Sequence, residues 1–269
     1  MGRYDPVGRE QIEAAQAYET LHVPALFRQW AGRVLEAARI EPGHRVLDVA
    51  CGTGVLAREA LGRVGPTGTV AGVDPVPGML AVAAGLAPRV EWKLGSAEAL
   101  PWPARCFDAV VCQFGLMYFP DRRKALREMA RVLVPGGVVA VAVWDRLENS
   151  GAYPIAVDLL DRVAGRRAAD ALRAPFALGD PAALVELFEA AGLTSIAVGT
   201  HRGTARFPSV AAMVEADLRG WLPVMGVELE ESQIRTILAE SELELRDYVT
   251  AGGEMLFQAP GHIATGRKP

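Results

Sequence analysis

Apolar positions in the first forty residues recur at helical spacing. Leu21, Ala25, Leu26, Trp30, Val34 and Leu35 share one face, which predicts helices over 11–38, with Pro24 as a break or a start. Glu41-Pro42-Gly43 reads as a turn, and the pattern then changes to short apolar runs separated by helical stretches. Strands are predicted over 45–50, 69–73, 90–94, 107–114 and 138–144, with helices after Gly54, over 79–86 and over 121–134. The last of these helices is amphipathic, with Asp121 placed to cap it, Ala125, Leu126, Met129 and Leu133 on one face, and Pro135-Gly136-Gly137 ending it. The run Val138 to Trp144 has no polar residue, as expected of a central parallel strand covered on both faces.

Strands alternating with helices predict an α/β fold with a doubly wound, mostly parallel sheet. Beyond Asp145 the rhythm loosens. Helical segments are predicted over 152–165, 181–191 and 208–248, strands over 194–207 and 255–263, and a loose tail over 266–269. No linker is long enough to divide the chain, so one domain over 1–269 is expected. Within it, 1–40 is expected to form an N-terminal helical cap and 40–145 the alternating core. Segments 146–180 and 208–250 are expected as helical insertions that lie as a lid over the carboxyl edge of the sheet.

Composition narrows the partners. The 269 residues, 51% of them apolar, suffice for a sizeable core. The formal charge of −4 and the lack of a basic stripe argue against nucleic acid as a partner; Arg122-Arg123-Lys124 and Arg166-Arg167 are short and flanked by acids. The seven-residue apolar run at 138–144 is far below the roughly 20 residues that span a bilayer. Three cysteines, Cys51, Cys106 and Cys112, lack metal-ligand spacing, so no metal is expected, and with no signal peptide recognised they suggest a reducing cytoplasm. Cys51 reads as a small residue in a tight turn rather than a nucleophile.

The candidate chemistry lies at the first strand–helix junction. Gly52, Gly54 and Ala57 fit the GxGxxA fingerprint, and Asp74 stands 20 residues after Gly54, where a ribose-binding acid belongs. A nicotinamide dinucleotide and S-adenosylmethionine both satisfy that spacing. Asp48 separates them. A carboxylate about 4 Å from a pyrophosphate would oppose it by roughly 4 kcal/mol at an effective dielectric near 20. The ammonium and sulfonium of S-adenosylmethionine are both positive and carry no phosphate. A turn or helix cap is the plainer role for Asp48.

Five blocks occur in order: VLDVACGTG at 46–54, VAGVDPVPGML at 70–80, GSAEALPW at 95–102, FDAVVCQFGLMYFPD at 107–121 and LREMARVLVPGGVVAVAVW at 126–144. Together they closely resemble the class I S-adenosylmethionine-dependent methyltransferases, in the small-molecule branch that includes menaquinone and ubiquinone C-methyltransferases. The resemblance implies a seven-stranded Rossmann-like sheet whose last strand is antiparallel. It implies that Asp48 and the backbone of Ala50, Gly52 and Gly54 hold the methionine end of the cofactor. Asp74 takes the ribose hydroxyls, Pro75 and Met79 pack on the adenine, Ser96, Ala97 and Glu98 lie at its edge, and Gln113 sits close to the methyl. An aspartate is usual in the family where this chain has Ser96. Paired histidines are common where it has Met117 and Tyr118, which removes an obvious general base.

The resemblance implies methyl transfer to a small-molecule acceptor by in-line displacement, needing orientation and a dry site more than a strong base. The acceptor pocket is expected under the N-terminal and inserted helices, with Tyr18, Phe27, Trp30, Met117, Tyr118, Trp144 and Trp221 as walls. No catalytic residue stands out. His22 and His201 could reach the pocket, though surface or structural roles are the plainer reading. A protein that binds the cofactor without transferring its methyl, and an NAD(P)-dependent dehydrogenase, stay open as alternatives. The expected protein is a cytoplasmic monomer or homodimer that binds no nucleic acid and no membrane.

Overall fold

The computed structural model describes residues 8–269. The first seven residues of the expected N-terminal cap lie outside the described residues. Helix α1 (Arg9–His22) runs into a π-helical turn, Val23–Phe27, and on into α2 (Arg28–Ala37). Pro24 therefore does not break the helix. It sits at the start of the π turn, where the wider register tolerates its missing N–H.

The core follows the predicted alternation: β1 (Arg45–Val49), α3 (Val55–Val64), β2 (Thr69–Asp74), α4 (Pro77–Leu86), β3 (Glu91–Leu94), β4 (Phe107–Gln113), α5 (Arg122–Val132) and β5 (Leu133–Trp144). Helix α5 stops two residues short of the expected 134, and β5 begins at once. Pro135-Gly136-Gly137 is held along the sheet by the tail, with Gly136 N–H donating to Lys268 O and Lys268 N–H to Gly137 O. Asp121 caps α5 as expected, accepting from Lys124 N–H at 2.9 Å.

The second half is α6 (Tyr153–Ala164), α7 (Arg166–Arg173), α8 (Pro181–Ala190), β6 (Thr194–His201), β7 (Thr204–Phe207) and α9 (Val210–Glu215). A second π turn (Ala216–Trp221), α10 (Leu222–Val224), α11 (Glu231–Glu244), β8 (Met255–Gln258) and β9 (Gly261–Arg267) complete it. The main sheet has seven strands in the order β3-β2-β1-β4-β5-β9-β6, with β9 antiparallel to both neighbours.

Four expectations are corrected here. The strand predicted over 194–207 is two strands in different sheets: β6 pairs with β9, while β7 pairs with β8 in a separate ribbon. The strand predicted over 255–263 divides in the same way. The supposedly loose tail supplies Gly266 and Arg267 to β9, which pair with Val139 and Val138. The helix predicted over 208–248 is interrupted at the π turn and between α10 and α11.

Strand order reverses between β1 and β4, so a crevice opens beyond their carboxyl ends. Both strands leave the sheet there through a left-handed residue that is not glycine: Ala50 at φ 57° and Phe114 at φ 55°. Such residues are costly and cluster at functional sites. The two exits touch, because a Cβ on Gly115 would lie 2.6 Å from Ala50 Cβ and 3.0 Å from Cys112 Sγ.

Candidate cofactor and acceptor site

The chain leaves β1 through Ala50, Gly52 and Gly54, all at positive φ. The two glycines do different work. A Cβ on Gly54 would lie 2.5 Å from Trp92 Cη2, so this glycine makes room for an indole beneath the loop. A Cβ on Gly52 would meet only Tyr18 Cε1, at 4.0 Å. Gly52 thus faces the crevice, and the ring of Tyr18 lies over it. Cys51 is buried, and burial together with the charges of Asp48 and Asp74 pushes its thiol well up, away from nucleophile chemistry.

Two carboxyl groups end β1 and β2. Asp48 is buried and accepts from the N–H of Ala57 at 3.0 Å, which makes it a cap on the first turn of α3. Asp74 accepts from Gly52 N–H at 2.8 Å and from Val76 N–H at 2.9 Å. It therefore ties the glycine loop to the end of β2. Burial raises both carboxyls above the usual range, and the charge of Asp74 raises Asp48 further, while Arg58 acts against this.

Helix α1 is strapped over this edge. Glu19 accepts from Thr53 Oγ1 at 2.5 Å and from Arg58 Nη2 at 2.6 Å, and Arg58 also donates to Thr53 O. Gly78 lets α4 approach, since a Cβ there would lie 2.5 Å from Gln11 O. Glu19→Ala removes the acceptor shared by two half-enclosed donors. The expected cost is about 1–3 kcal/mol, felt first as faster amide exchange along α1. Unchanged exchange there would show that α1 is held by something else.

Gln113 ends β4 with its two amide atoms in different circumstances. Its Nε2 donates to Phe27 O at 3.1 Å, and its Oε1 is buried without a partner. Phe27 is half-buried and packs on Tyr18, Phe114 and Trp144. Burial brings His22, stacked on Tyr18, down to about 4, so it is neutral at pH 7.

The remaining expected site residues divide. Pro75 and Ser96 are exposed at the crevice, Met79 is half-buried on α4, and Ala97 is buried. The Glu98 carboxylate turns toward α5, 3.5 Å from the N–H of Asp121. Tyr118 is exposed beside Trp221, with ring centroids 5.0 Å apart, and Trp221 is anchored by its Nε1 donating to Ala171 O at 2.9 Å. Trp30 is wholly buried against Phe114 and Trp144, and Met117 is buried in the core. Trp144 is also largely buried, stacked on Phe114 at 3.8 Å. Of the other histidines, His262 is buried between Asp145, Gly179 O and Thr200 Oγ1, a tie between β5, β6 and β9. Glu19, Thr53, Arg58, Trp92 and Phe114 shape the site without a local signal in the sequence, because each acts through a partner distant in the chain.

Two buried carboxyls, one offsetting arginine and an orphaned amide oxygen make an edge short of positive charge and of hydrogen-bond donors. A phosphate would worsen that deficit. A cationic adenosyl compound with ribose hydroxyls supplies both. The residues present therefore fit S-adenosylmethionine. Among the described residues no group of His, Cys, Asp and Glu could hold a metal ion, and no helix is long and apolar enough to cross a membrane.

Comparison with known proteins agrees. A family described as a methyltransferase domain matches residues 46–137. The ubiquinone/menaquinone biosynthesis C-methyltransferase UbiE of Cupriavidus necator is 36% identical over 189 residues, 64% of this chain and 76% of that protein. The protein of the same name from Ectopseudomonas mendocina is 40% identical over 130 residues, 46% of this chain, so that this chain spans about half of its length. Among solved structures, phosphoethanolamine N-methyltransferase 2 of Haemonchus contortus, in complex with S-adenosylhomocysteine, aligns with a TM-score of 0.60 at 17% identity. That alignment covers 96% of this chain and 57% of that one. The YcgJ protein of Bacillus subtilis aligns with a TM-score of 0.58 at 22% identity, covering 89% and 98%. Fold, glycine loop and relatives converge, and the chain belongs to the class I S-adenosylmethionine-dependent methyltransferases.

Proposed function

We propose that the chain methylates a small aromatic alcohol or quinol, with S-adenosylmethionine held across the ends of β1, β2 and β4. The observation that carries the cofactor half is the deficit of positive charge around Asp48 and Asp74 beside the unpartnered Oε1 of Gln113. The acceptor half is supported by the aromatic surfaces of Tyr18, Phe27, Tyr118 and Trp221 around the crevice. The naming of the Cupriavidus and Ectopseudomonas relatives as quinone-pathway C-methyltransferases points the same way.

S-adenosylmethionine, when bound, supplies a methyl group on a sulfonium, already a good leaving group. The work left to the protein is holding, orientation and exclusion of water. Asp74 and the backbone around Gly52 would hold the nucleoside and amino-acid ends. Asp48 fixes the first turn of α3 and leaves its carboxyl short of a positive partner. Gln113, pinned through Nε2 to Phe27 O, keeps its Oε1 fixed as an acceptor for a hydroxyl or ammonium. Tyr18 and α1 cover the glycine loop against solvent.

Calorimetry with S-adenosylhomocysteine is expected to show tight one-site binding. Asp74→Ala should weaken it by about 1–3 kcal/mol, the cost of losing hydrogen bonds to a charged acceptor. With S-adenosylmethionine and 1,4-dihydroxynaphthalene, mass spectrometry should find a singly methylated product. Binding of NADH in place of S-adenosylhomocysteine would overturn the cofactor assignment. Turnover of small amines with none of the naphthalenediol would overturn the acceptor class.

A further inference from the structure

The helices on the acceptor side carry one group that the reading above leaves unused. Asp217 stands in the second π turn, Ala216–Trp221, and is 6% exposed. Burial acts on it alone: among the described residues no cation and no hydrogen-bond donor offsets the carboxyl, which is pushed up to about 8. It lines a small cavity whose other walls are apolar, including Leu159 and Leu160 of α6, Leu172 of α7 and Ile237 of α11. Ser241 also lines it, but its hydroxyl already donates to Leu238 O at 2.8 Å.

The same turn reaches the crevice from two sides. Trp221 packs on Tyr118, four residues beyond Phe114, the left-handed exit of β4. Gly220 lies against the ring of His22 at the end of α1, where an added Cβ would be 3.9 Å from Cε1. The charge of Asp217 is felt by Tyr118 and by Tyr153 of α6, and Tyr118 in turn feels Tyr18 over the glycine loop. Tyr18, Tyr118 and Asp217 are thus near enough to influence one another across an otherwise aromatic and aliphatic wall. π turns of this kind recur at functional sites, because the extra residue re-aims the side chains that follow it. A carboxyl unpartnered in apolar surroundings costs stability that an aliphatic residue would not.

We propose that Asp217 recognises the acceptor, taking a hydrogen bond with its hydroxyl group and restricting this chain to acceptors that carry a hydroxyl on an otherwise apolar body. The inference rests on the aromatic-alcohol reading above. It makes Asp217 a binding residue that sets specificity from the lid side, opposite the glycine loop.

The test uses the full chain loaded with S-adenosylhomocysteine, and 1-naphthol and 1-methoxynaphthalene as probes, read by Trp fluorescence and calorimetry. The wild type should bind 1-naphthol at least tenfold more tightly than the methyl ether. Asp217→Ala should lose that tenfold preference and keep its S-adenosylhomocysteine affinity, while Asp217→Asn, which retains an oxygen acceptor, should recover most of it. Equal binding of the two probes by the wild type, or an undiminished preference in Asp217→Ala, overturns the assignment and leaves the aromatic-alcohol reading standing. Failure of the wild type to bind either probe overturns that reading, and this assignment with it. Should Asp217→Ala not fold, the wild-type preference and the Asp217→Asn variant still decide.

Discussion

Gly54→Ala is expected to destabilise the fold by about 2–5 kcal/mol, read as a lower urea midpoint at unchanged m-value. Two costs add. The residue sits at φ 85°, where an L side chain costs about 1–2 kcal/mol. The new Cβ would stand 2.5 Å from Trp92 Cη2, and that indole is confined by Gly72 on its other contact and by its Nε1 donating to Ala87 O at 3.0 Å. Something must shift, and the aromatic ring is large. Combining Gly54→Ala with Trp92→Leu should recover the steric part and leave the conformational part, so the double-mutant cycle separates the two. A midpoint within about 0.5 kcal/mol of the parent would show that the loop relaxes freely and that the glycine is not needed for packing.

The second large effect depends on pH. At pH 9, Asp217→Asn is expected to be more stable than the parent by about 6 kcal/mol, at about 1.4 kcal/mol per unit of a titration displaced from 3.8 to about 8. At pH 4 the two should be nearly equal. In the fold this carboxyl binds its proton more tightly than in the unfolded chain, rising from 3.8 to about 8. Between those values the folded state therefore holds more protons, and stability falls as pH rises, levelling off above about 8. Asparagine has no proton to lose, so its profile lacks that decline. The groups facing Asp217 do not alter the sign. Tyr118 and Tyr153 are themselves pushed upward and stay neutral over this range, and Ser241 does not titrate. Asp48 and Asp74 also titrate high, but they do so in both proteins and cancel in the difference. Urea midpoints of the pair across pH 4–9 check this. A difference that stays constant with pH would mean that Asp217 is solvated or paired.

The core was readable because its signals are local. Apolar runs ending in Asp48, Asp74 and Gln113, each followed by turn residues, place three strands and their loops within contiguous stretches of sequence. The second half was harder because partner choice decides it. Thr194 to Phe207 has the composition of one strand, yet it divides where Gly203 fits under Trp30 and beside Ala259 O, residues far apart in the chain. Met255 to Arg267 divides for the same reason, with Met255 taken by Phe207 and Gly261 by Trp144 and His201.

Within the site, the types of the key residues were legible, but some of their roles were not. The carboxylate of Asp48 accepts from the Ala57 N–H, a contact that its place near the end of a strand does not announce. Gly54, placed by its spacing beside the cofactor, turns its missing side chain toward Trp92. Trp30 and Met117 carry the right chemistry for a pocket wall and face the core, since periodicity names a buried face without saying what lies against it. Asp217 carries no local signal, because a lone acid in a helical stretch is ordinarily solvated. Only the π register and the meeting of α6, α7 and α11 enclose it.

The seat of Trp30 sets an order on synthesis. Its indole rests against Gly203 and Gly261, which leave the ribosome some 170 and 230 residues later. Until both have emerged, the indole has Phe114 and Trp144 as partners but lacks the rest of its seat, and α2, continuous through the π turn with the α1 that covers the glycine loop, is incompletely packed. Maturation of the catalytic face during translation therefore awaits the return of distal strands to the beginning of the polypeptide, and the interval is one in which chaperones would find their target.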